Sequence, residues 1–83
     1  MKYLVLTIRN PGFDADVVPA HYEFLDAMRA QGIVEQAGPF TDRSGGAYVL
    51  TAASLEEARE IAHRDPLHVS NSSTVTVHEW NAR

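Results

Sequence analysis

The sequence contains no cysteine, which removes thiolate nucleophiles, disulfide staples and thiolate-ligated zinc from consideration. It also lacks any long apolar run. The stretch from Tyr3 to Ile8 ends at the turn signal "NPG", too soon for a signal peptide or a membrane span, and a soluble cytoplasmic protein is expected. Positive charge is scarce: seven Lys and Arg stand against eleven Asp and Glu, a formal net charge of −4. Nucleic-acid binding relies on a basic footprint along the phosphates, so that partner class is excluded. No glycine-rich phosphate loop is present, and no cofactor is expected. Repeats and low-complexity tracts are absent too, while 45% of the residues are hydrophobic, the composition of a folded chain. What remains is one small domain over residues 1–83. A chain of this length buries only about 60% of its unfolded surface, so a partner subunit would help it.

"KYLVLTIR" (Lys2 to Arg9) is rich in aliphatic and β-branched residues and reads as a strand. Asp14 or Asp16 can cap a following helix that accepts Pro19 in its first turn and stops at "AQG", with Gly32 in the left-handed position. "IVEQAGPF" (Ile33 to Phe40) is a weaker strand, placed at an edge or a strand end by Pro39. "TDRSGG" (Thr41 to Gly46) reads as a loop and "AYVLTA" (Ala47 to Ala52) as the third strand. Ser54 and Glu57 form an S-x-x-E capping box for a second helix with Leu55, Ala58, Ile61 and Ala62 on its apolar face. Asp65-Pro66 ends that helix, and "TVTVHEW" (Thr74 to Trp80) alternates as the last strand.

The order βαββαβ predicts an α+β, ferredoxin-like fold: a four-stranded antiparallel sheet in the order 4-1-3-2, with both helices on one face. The other face is left without cover. Tyr3, Val5 and Thr7 alternate with Leu4, Leu6 and Ile8, so neither face of the first strand is strongly polar, and Trp80 and Tyr48 add aromatic area. The open faces are therefore expected to pack together in a homodimer.

Topology restricts which polar groups can meet. In this fold the start of helix one, the end of strand two, the 41–46 loop and the end of helix two share one end of the domain. That gathers His21, Gly38, Pro39 and Asp65, with Arg9, Asp42 and Ser44 within range as substrate-binding candidates. His21 interrupts the apolar stripe of Val17 or Val18, Phe24, Leu25 and Met28, and Asp65 is in phase with Ala58 and Ala62. An aspartate that accepts from one imidazole nitrogen fixes the tautomer and makes the other nitrogen the working base or acid. Asp42 is an alternative partner for His21. Tyr22 lies about 100° around the helix from His21 and need not enter the same cleft. "HRDPLH" holds His63, Asp65 and His68, but His63 falls on a different helix face from Asp65, so no metal site is expected. "GGAYVL" has neither the basic start nor the spaced aromatics of an RNA-binding sheet motif.

The pieces "PAHYEFL", "GIVEQAGPF", "DRSGGAYVL" and "SLEEAREIAHRDPL", in this order and across nearly the whole chain, resemble the YCII-related family of small ferredoxin-like proteins. The resemblance implies a dimeric α+β barrel with an active site centred on His21 and Asp65, and with Gly38 and Pro39 shaping its wall. It implies chemistry of the isomerase, lyase or dehydrohalogenase type on a small, often cyclic compound, because the family includes a member that removes chloride from a chlorinated hydroxyquinol. Many relatives carry an arginine shortly before the helix-one histidine. Here Val17, Val18, Pro19 and Ala20 stand there, so a cation for an anionic substrate has to come from Arg9 or Arg43, or is absent. Two functions follow as expectations: a cofactor-independent enzyme using His21 oriented by Asp65, or a non-catalytic domain whose cleft holds a small ligand.

Overall fold

The computed structural model describes residues 1–83 and builds a four-stranded antiparallel sheet in the order β2-β3-β1-β4, with the helices on one side. β1 (Lys2–Arg9) lies at the centre, hydrogen-bonded to β3 (Gly45–Thr51) on one side and β4 (Ser73–Trp80) on the other. Its period-2 alternation sends Tyr3, Val5 and Thr7 under the helices, where all three are buried, and Leu4 and Leu6 to the opposite face. β2 (Val34–Pro39) forms one edge, with a bulge between Val34 and Gln36, and Pro39 sits at the strand's last position, where the missing N–H costs least.

Asp14 starts the first helical segment: its carboxylate accepts from the Asp16 amide at 2.9 Å across a single 3-10 turn, and α1 (Val18–Ala30) continues from there with Pro19 in its first turn. Gly32, at φ +74°, reverses the chain after it. α1 buries Leu25 and Met28. α2 (Leu55–Ala62) buries Ala58, Ile61 and Ala62; Ser54 Oγ accepts from the Glu57 amide at 3.1 Å, and Glu57 returns a carboxylate oxygen to the Ala53 amide at 3.2 Å. These side chains close a core with Tyr3, Val5, Val34 and Leu50. No helix is long and apolar enough to cross a membrane.

Three expectations from the sequence change. β3 begins at Gly45, inside the segment read as a loop. A Cβ on Gly45 would lie 1.9 Å from the Thr7 carbonyl oxygen, and one on Gly46 would lie 2.7 Å from that of Gly38, so the two glycines let neighbouring strands approach where a turn had been expected. α2 ends at Ala62 with His63 as its C-cap, before Asp65-Pro66 is reached, so this pair starts a helix where it had been expected to stop one. Asp65 caps a further short helix, α3 (Pro66–Val69), by accepting from the Leu67 amide at 2.9 Å. Tyr48 belongs to the covered face. It pairs with Val5 and is 2% exposed, because it shares the parity of Leu50 and its hydroxyl finds a buried partner.

Candidate functional site

That partner is Asp65. The Asp65 side chain is fully buried and takes hydrogen bonds from three elements: His21 Nδ1 of α1 at 2.8 and 2.9 Å to its two oxygens, the Tyr48 hydroxyl of β3 at 3.1 Å, and the Leu67 amide of α3. A carboxylate in an apolar interior is tolerated only when its lone pairs are satisfied in this way. Burial, reinforced by the Asp65 charge and the hydrogen bond to it, pushes the Tyr48 phenol far above its ordinary pKa, so Tyr48 stays protonated and donates. With donors arriving from every side, Asp65 has only acceptor roles to fill, and His21 Nδ1 carries the proton of the shared bond. The free lone pair of a neutral His21 ring is then on Nε2, the edge away from Asp65.

His21 lines a cavity of about 490 Å³, counted with its open mouth. Phe13, Val18, His21, Tyr22 and Leu25 form one wall, Gly38 and Pro39 a second, and Thr7, Arg9, Ser73 and the side-chain-free Gly45 and Gly46 the sheet floor. Thr7 Oγ1 donates to the Gly46 carbonyl at 3.3 Å. The Arg9 guanidinium lies over the Phe13 ring, 4.2 Å from its centroid, a cation–π contact that holds the charge at the cavity wall.

Of the residues proposed from sequence, His21, Arg9, Gly38 and Pro39 line this cavity, and Asp65 lies behind His21. Asp42 and Ser44 stay outside it. Asp42 accepts from the Ser44 amide at 2.9 Å in a closed turn, and hydrogen bonds from the Ser44 side chain and backbone hold its carboxyl below the usual range. The choice left open between Asp65 and Asp42 as partner of His21 therefore falls to Asp65. Arg43, at φ +65° in the same turn, is not among the lining residues either. Tyr22 does enter the cleft, with its ring centroid 5.4 Å from that of His21. Tyr48, Phe13, Thr7 and Ser73 were not singled out as site residues. Tyr48 could have been found from its parity with Leu50, and Ser73 from its pairing with Arg9, whereas Phe13 had no periodic signal. His63 and His68 stack on one another with centroids 4.2 Å apart while Asp65 turns to His21, and no three potential ligands converge.

Comparison with known proteins gives three findings. The model of the YCII-related domain matches residues 1–81. An uncharacterized protein of Bacillus subtilis strain 168, YjpA, is 51% identical over 81 residues, covering 98% of this chain and 95% of that protein. Among solved structures, the fold is similar to 5-chloro-2-hydroxyhydroquinone dehydrochlorinase (TftG) from Burkholderia phenoliruptrix AC1100, in complex with 2,5-dihydroxybenzoquinone. The TM-score is 0.83 at 21% identity, over 100% of this chain and 96% of that one.

Proposed function

The chain belongs to the YCII-related family, and from that footing we propose that it is a small, cofactor-independent enzyme in which His21 moves a proton on a small, enolisable and often cyclic substrate. One observation carries the reading: both Asp65 oxygens engage His21 Nδ1, which leaves Nε2 as the working atom at a solvent-accessible cavity. Nε2 is the general base that takes a proton from the carbon or hydroxyl beside a carbonyl. In an isomerisation the imidazolium returns that proton at another position. In an elimination a leaving group departs with its electron pair. Asp65 keeps the ring in one tautomer and stabilises the imidazolium as it forms, and Tyr48 and the Leu67 amide keep Asp65 in place. TftG is a dehydrochlorinase, which is compatible with the elimination variant, and Gly38 and Pro39 would shape the substrate wall.

Chloride release from 5-chloro-2-hydroxyhydroquinone, followed alongside proton exchange into enolisable cyclic ketones, tests this. His21→Ala is expected to abolish either turnover. Asp65→Asn, which presents the wrong tautomer, is expected to lower kcat on the order of 10²- to 10⁴-fold with KM little changed. A His21 ring whose NMR titration is the same in Asp65→Asn as in the natural chain would sink the dyad. Loss of ligand binding in His21→Ala, with no turnover to lose in the natural chain, would favour the non-catalytic ligand-binding reading.

A further inference from the structure

The acid–base reading leaves one cavity group without a role. Ser73 is 3% exposed, its Oγ is a buried side-chain oxygen with no hydrogen-bond partner, and it lines the same cavity as His21. Its neighbours are satisfied: Ser70 donates to Ser72 Oγ at 2.8 Å, and Thr7 bonds the Gly46 carbonyl. A buried hydroxyl left unpaired is costly, and such groups mark sites where a ligand completes the bonding.

Across the β1–β4 ladder Ser73 pairs directly with Arg9. Directly opposed residues point to the same face with their Cβ atoms about 5 Å apart, so Arg9 and Ser73 enter the cavity lining from neighbouring positions on the helix-side face of the sheet. Arg9 takes part in none of the chain's ion pairs, which join Lys2 to Glu35, His21 to Asp65 and Arg29 to Asp26. Phe13 covers one face of the guanidinium and leaves its in-plane N–H donors free. No Asp or Glu lines the cavity, although the chain as a whole carries a net charge of −4. An acidic protein thus has a cavity whose one fixed charge is a cation, next to an unpaired hydroxyl.

We propose that Arg9 and Ser73 form an anchor for a delocalised oxyanion, a carboxylate or an acidic enolate or phenolate oxygen, and that the substrate is a small organic acid held by this anchor with its reacting carbon towards His21. The proposal rests on the acid–base reading for the role of His21 but not for the anchor. Arg9 supplies the charge and Ser73 the short, directional bond; Ser73 is the specificity-determining residue, because a ligand without an oxygen at that point leaves its hydroxyl buried and unpaired.

Calorimetry at pH 7.5 with three probes tests it: 2,5-dihydroxybenzoquinone, which is an enolate at that pH, benzoate, and the neutral 2,5-dimethoxybenzoquinone. At least one anion is expected to bind, and the neutral quinone at least tenfold more weakly. Which anion binds tells an enolate from a carboxylate substrate. Ser73→Ala is expected to weaken the bound anion on the order of tenfold and Arg9→Gln up to about a hundredfold, the range for hydrogen bonds to charged groups. The unliganded Ser73→Ala protein is expected to melt no lower than the natural chain, since the substitution removes an unpaired hydroxyl. His21→Ala is expected to retain anion binding within a few-fold even where turnover is lost, so the anchor and the acid–base step fail independently. The proposal is overturned if neither anion binds at millimolar concentration, if the neutral quinone binds as well as the anions, or if Ser73→Ala lowers the melting temperature while leaving affinity unchanged.

Discussion

Asp65 is a residue whose several jobs constrain one another. The same carboxylate caps α3, receives the Tyr48 hydroxyl and orients His21, so the helix end and the imidazole are positioned by one buried group. Sharing of this kind makes Tyr48 a positioning residue. Tyr48→Phe keeps the ring and its packing but removes one donor to the Asp65 carboxylate, and is expected to cost about 1.5–3 kcal/mol of stability, the range for a hydrogen bond to a charged group. A structural role alone predicts only that loss, measured by denaturant unfolding. A positioning role also predicts an altered pH profile of kcat/KM, because Asp65 then holds His21 less firmly. His21 and Asp65 were legible in the sequence: an imidazole in an apolar stripe is an anomaly, and topology brings the end of α2 to the start of α1. Tyr48 was misread because both faces of β1 and β3 are apolar, and a period of two does not say which face is covered. Tyr22 was underrated for a different reason. Rotation by one helical position does not carry a long aromatic side chain out of a cleft that is itself wide.

At the scale of elements, capping and periodicity made β1, α1, the start of α2 and β4 readable to within a residue or two, while the end of α2 at Ala62, the glycine pair and α3 were not. Gly45 and Gly46 look like loop residues because their usual meaning is conformational freedom, yet here they permit close strand contact. α3 spans four residues, too few for any hydrophobic period to appear. It has a consequence for pH dependence. By linking α2 to α3 through one turn, the chain stacks His63 of the α2 C-terminus on His68. His63 is exposed, but desolvation by the groups packed beside it, followed by the nearby His68 and Arg59, sets it below its ordinary value. A histidine whose folded pKa is depressed binds fewer protons in the folded than in the unfolded chain between the two values. Its stacked arrangement is therefore fully favourable above about pH 6.5 and loses stability as the pH falls through that value. The expected signature is a melting temperature that declines as the pH falls below about 6.5, with a shallower decline in His63→Gln. An unchanged slope in that variant would place the acid sensitivity elsewhere.

For the molecule as a whole, the helices cover one face of the sheet, and the other face divides into zones. The two central strands present Leu4 opposite Val49 and Leu6 opposite Ala47, all only partly exposed, with Ile8 at 42% and Trp80 at 44% exposed towards the ends. Thr76 and His78 on one edge strand and Gln36 on the other flank this strip with polar side chains. An apolar centre with a polar rim is the anatomy of an interface, and a sheet whose central strands carry aliphatic side chains on both faces is unusual in a monomer. Self-association through this face is the expected assembly, by a two-fold arrangement in which the same strip meets itself. The cavity is lined mainly from the helix side of the sheet, with Ala47 the one residue of the strip that also borders it, so assembly and ligand binding are largely separable. Leu6→Glu introduces two like charges near the centre of such an interface and is expected to give monomers at concentrations where the natural chain sediments as a dimer. It leaves the His21 titration and anion binding unchanged, because Leu6 faces away from both. A natural chain that sediments as a monomer at every concentration rules the interface out. A monomeric Leu6→Glu that has also lost the His21 titration shows instead that the fold of each protomer depends on its partner, as the modest core of a chain of 83 residues would allow.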